Sequence, residues 1–232
     1  MFVHYFEKRT VWPYADEWEH GGFSIATNLE NFRKRVTAQG VAAGFRSLGD
    51  NYDNKGKRYI LIYSFYISPD NTTLVMIGAG TVIGIPISAM DFSSRTVIGK
   101  VQKTVTSQNA VEKDLSGLWQ DGLITTNDFH AASSFHSESC AGRPETFTAF
   151  TPGRELEEYR ELLQTRVAAL HGKGLIRYRK RDKSVWSYSI WGSIKVGIIQ
   201  QIIGVVRLPR SIFRGERKRS KPTPPPIPNY PQ

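Results

Sequence analysis

The sequence predicts an α+β fold: a mixed body of antiparallel hairpins and two to three amphipathic helices, followed by a C-terminal apolar helix and a disordered proline-rich tail. Aromatic and β-branched runs bounded by turn residues argue for the hairpins. Apolar residues spaced three and four apart argue for the helices. The third observation is a break in composition. Met1–Gly172 carries 17 Lys/Arg against 19 Asp/Glu, whereas Lys173–Gln232 carries 14 against 2. The chain therefore divides into a body (1–172), a basic hairpin with an apolar helix (173–213), and a basic proline-rich tail (214–232).

With 232 residues, 40% of them hydrophobic, the chain is long enough to bury a sizeable core. A near-neutral body joined to a strongly basic end implies an anionic partner, either a phospholipid surface or nucleic acid. The single cysteine, Cys140, excludes an intrachain disulfide and fits a reducing compartment. The first residues lack the pattern of a secretory signal, so a cytoplasmic location is expected.

Phe2–Trp12, rich in aromatic residues and valine, reads as an opening strand. Thr27 and Glu30 have capping-box spacing, and Leu29, Phe32 and Val36 mark one face of a helix ending near Gly40. Gly49–Gly56 reads as a loop. Arg58–Ile67, the turn Ser68-Pro69-Asp70-Asn71 and Thr73–Ile77 form the most secure hairpin.

Gly78–Gly84 allows three readings. A dinucleotide loop is disfavoured because the spacing is GxGxxxG and Pro86 interrupts the required helix. A membrane span is suggested by the absence of charge from Asn71 to Met90, but polar and small residues dilute it. A hairpin arm bending into another strand is preferred. Thr96–Thr106 reads as a further strand and Asn109–Gln120 as a helix.

Asp128, His130, His136 and Cys140 are the weak candidates for metal ligands, since imidazole, carboxylate and thiolate suit a borderline cation. Their spacing lacks paired CxxC or HxxxH elements, so a serine-rich surface loop is expected, and no cofactor is implied. The same residues could supply a Cys–His pair for nucleophilic chemistry. Thr151-Pro152 reads as a helix start, and Leu156, Tyr159, Leu163, Val167 and Leu170 recur on one face as far as His171-Gly172.

Leu175–Lys180 and Trp186–Ile190 alternate as a second hairpin. Ser193–Leu208 then changes to a helical period with an apolar face too wide for a surface helix, which must be buried in protein or lipid. Lys195 falls within that apolar sector and weakens it. The helix is short of a bilayer, and basic clusters flank both ends, so an interfacial helix fits better than a span. The expected membrane contacts are Trp186, Trp191, Ile194, Ile198, Ile202, Val205 and Phe213. Phosphate or headgroup contacts are expected from Arg177, Arg179, Lys180, Arg207, Arg210, Arg214, Arg217, Lys218 and Arg219. Pro222, Pro225 and Pro228 continue a polyproline register suited to a proline-motif-binding protein.

The leading functional expectation is a non-enzymatic peripheral membrane accessory or scaffold protein. One alternative is nucleic-acid binding, with Tyr178, Trp186 and Tyr188 stacking on bases. The other is a metal-dependent or nucleotide-binding enzyme built on the Asp128–Cys140 residues or on Gly78–Gly84.

Overall fold

The computed structural model describes residues 9–10, 25–54, 59–82, 85–106, 114–181, 183 and 185–206. In chain order the elements are β1 (Arg9–Thr10), α1 (Thr27–Ala42), β2 (Arg46–Asn54), β3 (Tyr59–Ile67), β4 (Thr73–Val82), β5 (Ile85–Thr96), β6 (Val101–Val105) and β7 (Trp119–Leu123). They continue with α2 (Phe129–Ala141), β8 (Phe147–Thr148), α3 (Glu155–Gly172), β9 (Ile176–Tyr178), β10 (Val185–Tyr188) and α4 (Ile190–Val206). The fold is α+β.

A seven-stranded sheet runs β2-β3-β4-β5-β6-β7, with β8 paired to β5. Every step is antiparallel except β6–β7. Side chains alternate across it. Tyr66, Val75, Ile77, Met90 and Phe92 join α1 and α2 in one core, and Phe65, Ile67, Leu74, Val101 and Trp119 join Tyr159 of α3 in a second. The sheet is thus covered by helices on both faces. A third core forms where Val167 and Leu170 of α3 meet Leu175, Ile176, Trp186, Tyr188 and Val196. It crosses the boundary drawn at residue 172. The N-terminal strand β1 also pairs with β10, completing a three-stranded sheet with β9.

The two hairpins lie as expected, with turns that hold Asn71 and Lys183 at positive φ (55° and 60°). Gly78 and Gly80 are strand residues, paired with Tyr63 and Leu61 on one side and with Ala89 and Ile87 on the other. The Gly78–Val82 stretch is therefore sheet, as preferred, and residues 83–84 lie outside the described residues.

Several local expectations are corrected. Ala26, not Thr27, is the N-cap of α1, without a side-chain bond. Glu30 cannot complete a capping box because both of its oxygens accept from Arg33 (3.0 and 3.1 Å), a stronger charge-assisted pairing. The helix continues past Gly40 to Ala42. The loop at Gly49 is instead edge strand β2, with a bulge between Ser47 and Gly49 where Gly49 adopts φ 115°. Such a kinked, polar strand resists edge-to-edge pairing.

Thr96–Thr106 is broken by a turn, so that β5 ends at Thr96 and β6 begins at Val101. The helix expected over Asn109–Gln120 is, from residue 114 onward, a turn leading into β7. Asp114 causes this locally. Its carboxylate accepts from the Ser116 hydroxyl and from the amides of Gly117 (2.9 Å) and Trp119 (3.1 Å), so the side chain competes with helical bonds. The Asp128–Cys140 stretch is a helix rather than a loop. Helix α3 starts at Glu155 with Arg154 as N-cap, because Thr151 is drawn aside to bind the Glu158 carboxylate through its amide (2.9 Å) and hydroxyl (2.7 Å).

Candidate docking face and the buried polar centres

The C-terminal unit is built on β9 and β10. Trp186 and Tyr188 point into the third core and stack edge to face at 5.3 Å. Trp186 retains only 7% of its surface, so the expected membrane contact is corrected to a core position. The same burial removes Trp186 and Tyr188 as stacking platforms for nucleic acid. Arg177 and Arg179 lie two residues apart on one side of β9, and both donate to the buried Ser187 hydroxyl (3.4 and 2.7 Å). Lys180 is exposed beside them.

Ser189 then caps α4, accepting the Gly192 amide at 3.0 Å, so the helix starts earlier than the predicted Ser193. Gly192, Ser193 and Val196 are buried on one side, while Ile190, Trp191, Lys195 and Ile198 are exposed and Ile194 lies between. Ile190, Trp191 and Ile198 keep 55, 56 and 48% of their surface. Lys195 does not interrupt this exposed side. Its ammonium sits over the Trp191 ring, 5.3 Å from the centroid.

No helix among the described residues is long and apolar enough to cross a membrane. The backbone of α4 includes Ile202 and Val205, but its side chains are described only as far as Ile198. Arg207, Arg210, Phe213, Arg214, Arg217, Lys218, Arg219, Pro222, Pro225 and Pro228 lie outside the described residues.

The metal candidates separate along α2. Asp128 is the N-cap, accepting from Ala131 N (2.8 Å) and Gln39 Nε2 (3.1 Å), and His130 is exposed. His136 is 1% exposed, bonded to Ser94 Oγ through Nε2 (3.0 Å) and to Thr104 Oγ1 through Nδ1 (2.9 Å). Cys140 Sγ approaches the same Nε2 at 3.6 Å. Burial pushes the His136 pKa down to about 4 and pushes the Cys140 thiol up. Both groups are therefore held neutral at pH 7, the reverse of an activated thiolate–imidazolium pair. No three His, Cys, Asp or Glu side chains among the described residues gather as metal ligands.

A charged seam, not among the expectations from sequence, runs along the α3 side of the sheet. Glu155 pairs with Arg46, Glu158 with Arg95 (3.1 Å), Asp91 with Lys103 (3.0 Å), and Asp114 with Arg166 (2.9 Å). Lys103 and Asp121 are register partners on β6 and β7. Lys103 and Arg166 both lie over Trp119. Burial alone would depress the Lys103 ammonium, but Asp91 and Tyr159 outweigh it and leave its pKa raised. Burial raises Asp121 despite the nearby Lys103 and Arg166. For Asp114, burial is overcome by the Ser116 bond and by Arg166, so its pKa is lowered. The signal in the sequence was the alternation Asp91-x-Ser93-x-Arg95, a polar row on one side of a strand. Lys103 stays protonated and ion-paired, so the seam fastens α3 rather than offering a nucleophile.

The chain matches no known protein family, no curated protein and no solved structure. What its sites can do rests on their chemistry alone.

Proposed function

We propose that this chain is a non-enzymatic accessory or scaffold protein that docks on an anionic membrane surface through the exposed side of α4. The observation that carries this reading is the apolar side made by Ile190, Trp191 and Ile198, which no other described element covers. Arg177–Lys183 precedes it with net charge +4 and Arg207–Lys221 follows it with net charge +6, and no carboxylate lies between Asp182 and Glu216. A helix lying in the interface brings both clusters to the same leaflet, at about 1 kcal/mol of attraction for each basic residue near the surface. The proline-rich tail, in a cytoplasmic setting, then serves to recruit a proline-motif-binding partner.

Flotation with phosphatidylserine-containing vesicles tests the reading. Intact protein is expected to float with them and to remain below pure phosphatidylcholine vesicles. Replacing both Trp191 and Ile198 with alanine removes about 2 kcal/mol of apolar insertion, about thirty-fold in partitioning. Failure of the intact chain to float, or equal flotation after removal of residues 185–221, sinks the proposal.

A further inference from the structure

We infer that α4 meets the bilayer while still packed on the protein, so that only its Ile190–Trp191–Ile198 side enters the interface. This rests on the membrane reading above and adds the geometry of engagement. The opposite side of the helix is fastened at several points. The Ser189 amide donates to the Leu175 carbonyl at 2.9 Å, and its hydroxyl donates to the Gly174 carbonyl at 2.7 Å. Gly192 lies so close to the same strand entry that a Cβ there would stand 1.9 Å from the Leu175 oxygen. Ser193 is fully buried, and Val196, 3% exposed, closes the third core over Trp186 and Tyr188.

Positions 192, 193 and 196 form one contiguous helical side, and 190, 191, 195 and 198 form the other. Releasing α4 would open the core around Trp186 and Leu170 and unmake the Ser189 contacts, while the lipid-competent residues are already outside. Docked insertion therefore requires no rearrangement. From Ile190 to Ile198 the exposed side runs along about 12 Å of helix axis, which lies flat on the surface and carries Lys195 at its edge. The occupant is an anionic phospholipid surface, chosen by the carboxylate-free stretch and its basic flanks.

Single-cysteine labelling on the full chain tests this, with each label located by peptide mass so that Cys140 is read separately. On phosphatidylserine-containing vesicles, labelling of Ile198→Cys should slow about tenfold, whereas Val196→Cys should remain protected with a change under about twofold. Ser193→Cys, a near-isosteric change at a second buried position, should behave like Val196→Cys. A rise of about tenfold in labelling at 196 or 193 on vesicles overturns docked insertion while leaving membrane binding intact. Protection of Ile198→Cys that depends on protein concentration without vesicles assigns the face to a second copy and overturns the inference. Absence of flotation by the intact chain overturns both proposals.

Discussion

Replacing His136 with glutamine should flatten the acid limb of the protein's stability curve. The imidazole is buried beside Phe92, between the hydroxyls of Ser94 and Thr104 and the Cys140 thiol. Its ordinary pKa of 6.5 falls to about 4 because burial penalises the charged ring. The hydroxyls can rotate to accept from either ring nitrogen, so lost solvation, rather than lost bonding, dominates the cost of protonation. Below pH 6.5 the unfolded chain takes up a proton that the folded chain refuses. The contribution is complete above the unfolded pKa and is lost as pH falls from 6.5 to about 4. At about 1.4 kcal/mol per pH unit the full loss is about 3 kcal/mol, of which about 2 kcal/mol falls between pH 6.5 and about 5.

That upper window isolates the histidine. Glu30, Glu158 and Asp114 also have lowered pKa values, but their contributions fade only nearer the ordinary values of 4.5 and 3.8. Urea unfolding of both proteins at closely spaced pH values reads the effect. His136→Gln should start about 1–3 kcal/mol less stable at neutral pH, because one or both hydroxyl partners are left short. The gap should then narrow by about 2 kcal/mol as pH falls to about 5. Parallel curves would refute the reasoning, since they would mean that the ring is solvated or already charged in the fold.

Further outcomes follow from close contacts and buried charges. Gly192→Ala forces a Cβ against the Leu175 carbonyl and should cost about 1–3 kcal/mol in urea unfolding, with faster proteolysis at α4. Arg166→Met leaves the Asp114 carboxylate, 1% exposed, without its guanidinium and should lower stability by about 3 kcal/mol. Asp121→Asn should be neutral or stabilising by up to about 1 kcal/mol at pH 7, read by thermal unfolding. The raised pKa of Asp121 means that its contribution is present below the unfolded value of 3.8 and is lost as pH rises through the folded one. Asparagine lacks that loss, so a marked destabilisation at neutral pH would show that the ionised form is the one the fold favours.

Part of the docking site was legible in the chain because helical period and charge run are local properties. Ile194 and Ile198 could be placed on a wide apolar helix between basic flanks, and both hairpins could be placed from their alternation and turns; Trp191 was expected at the membrane but ahead of that helix. Trp186 could not be separated from Trp191 in this way. The two are five residues apart and equally apolar, but one sits on a strand facing α3 and the other on the open side of α4.

By itself, the sequence determined the α+β class, the β3–β4 and β9–β10 hairpins, the main helical stripes and the charge asymmetry. Each follows from side-chain period, turn chemistry or composition over a few neighbouring residues. Only the tertiary structure decided that His136 is a neutral core residue, and that Glu155 and Glu158 are buried partners of arginines from distant strands. Those outcomes depend on which groups exclude water from one another, and pairs such as Arg46–Glu155 and Arg166–Asp114 are far apart along the chain. The exposed side of α4 belongs to the same class. The sequence supplied its isoleucines, and the packing of Gly192, Ser193 and Val196 chose which of them remain outside.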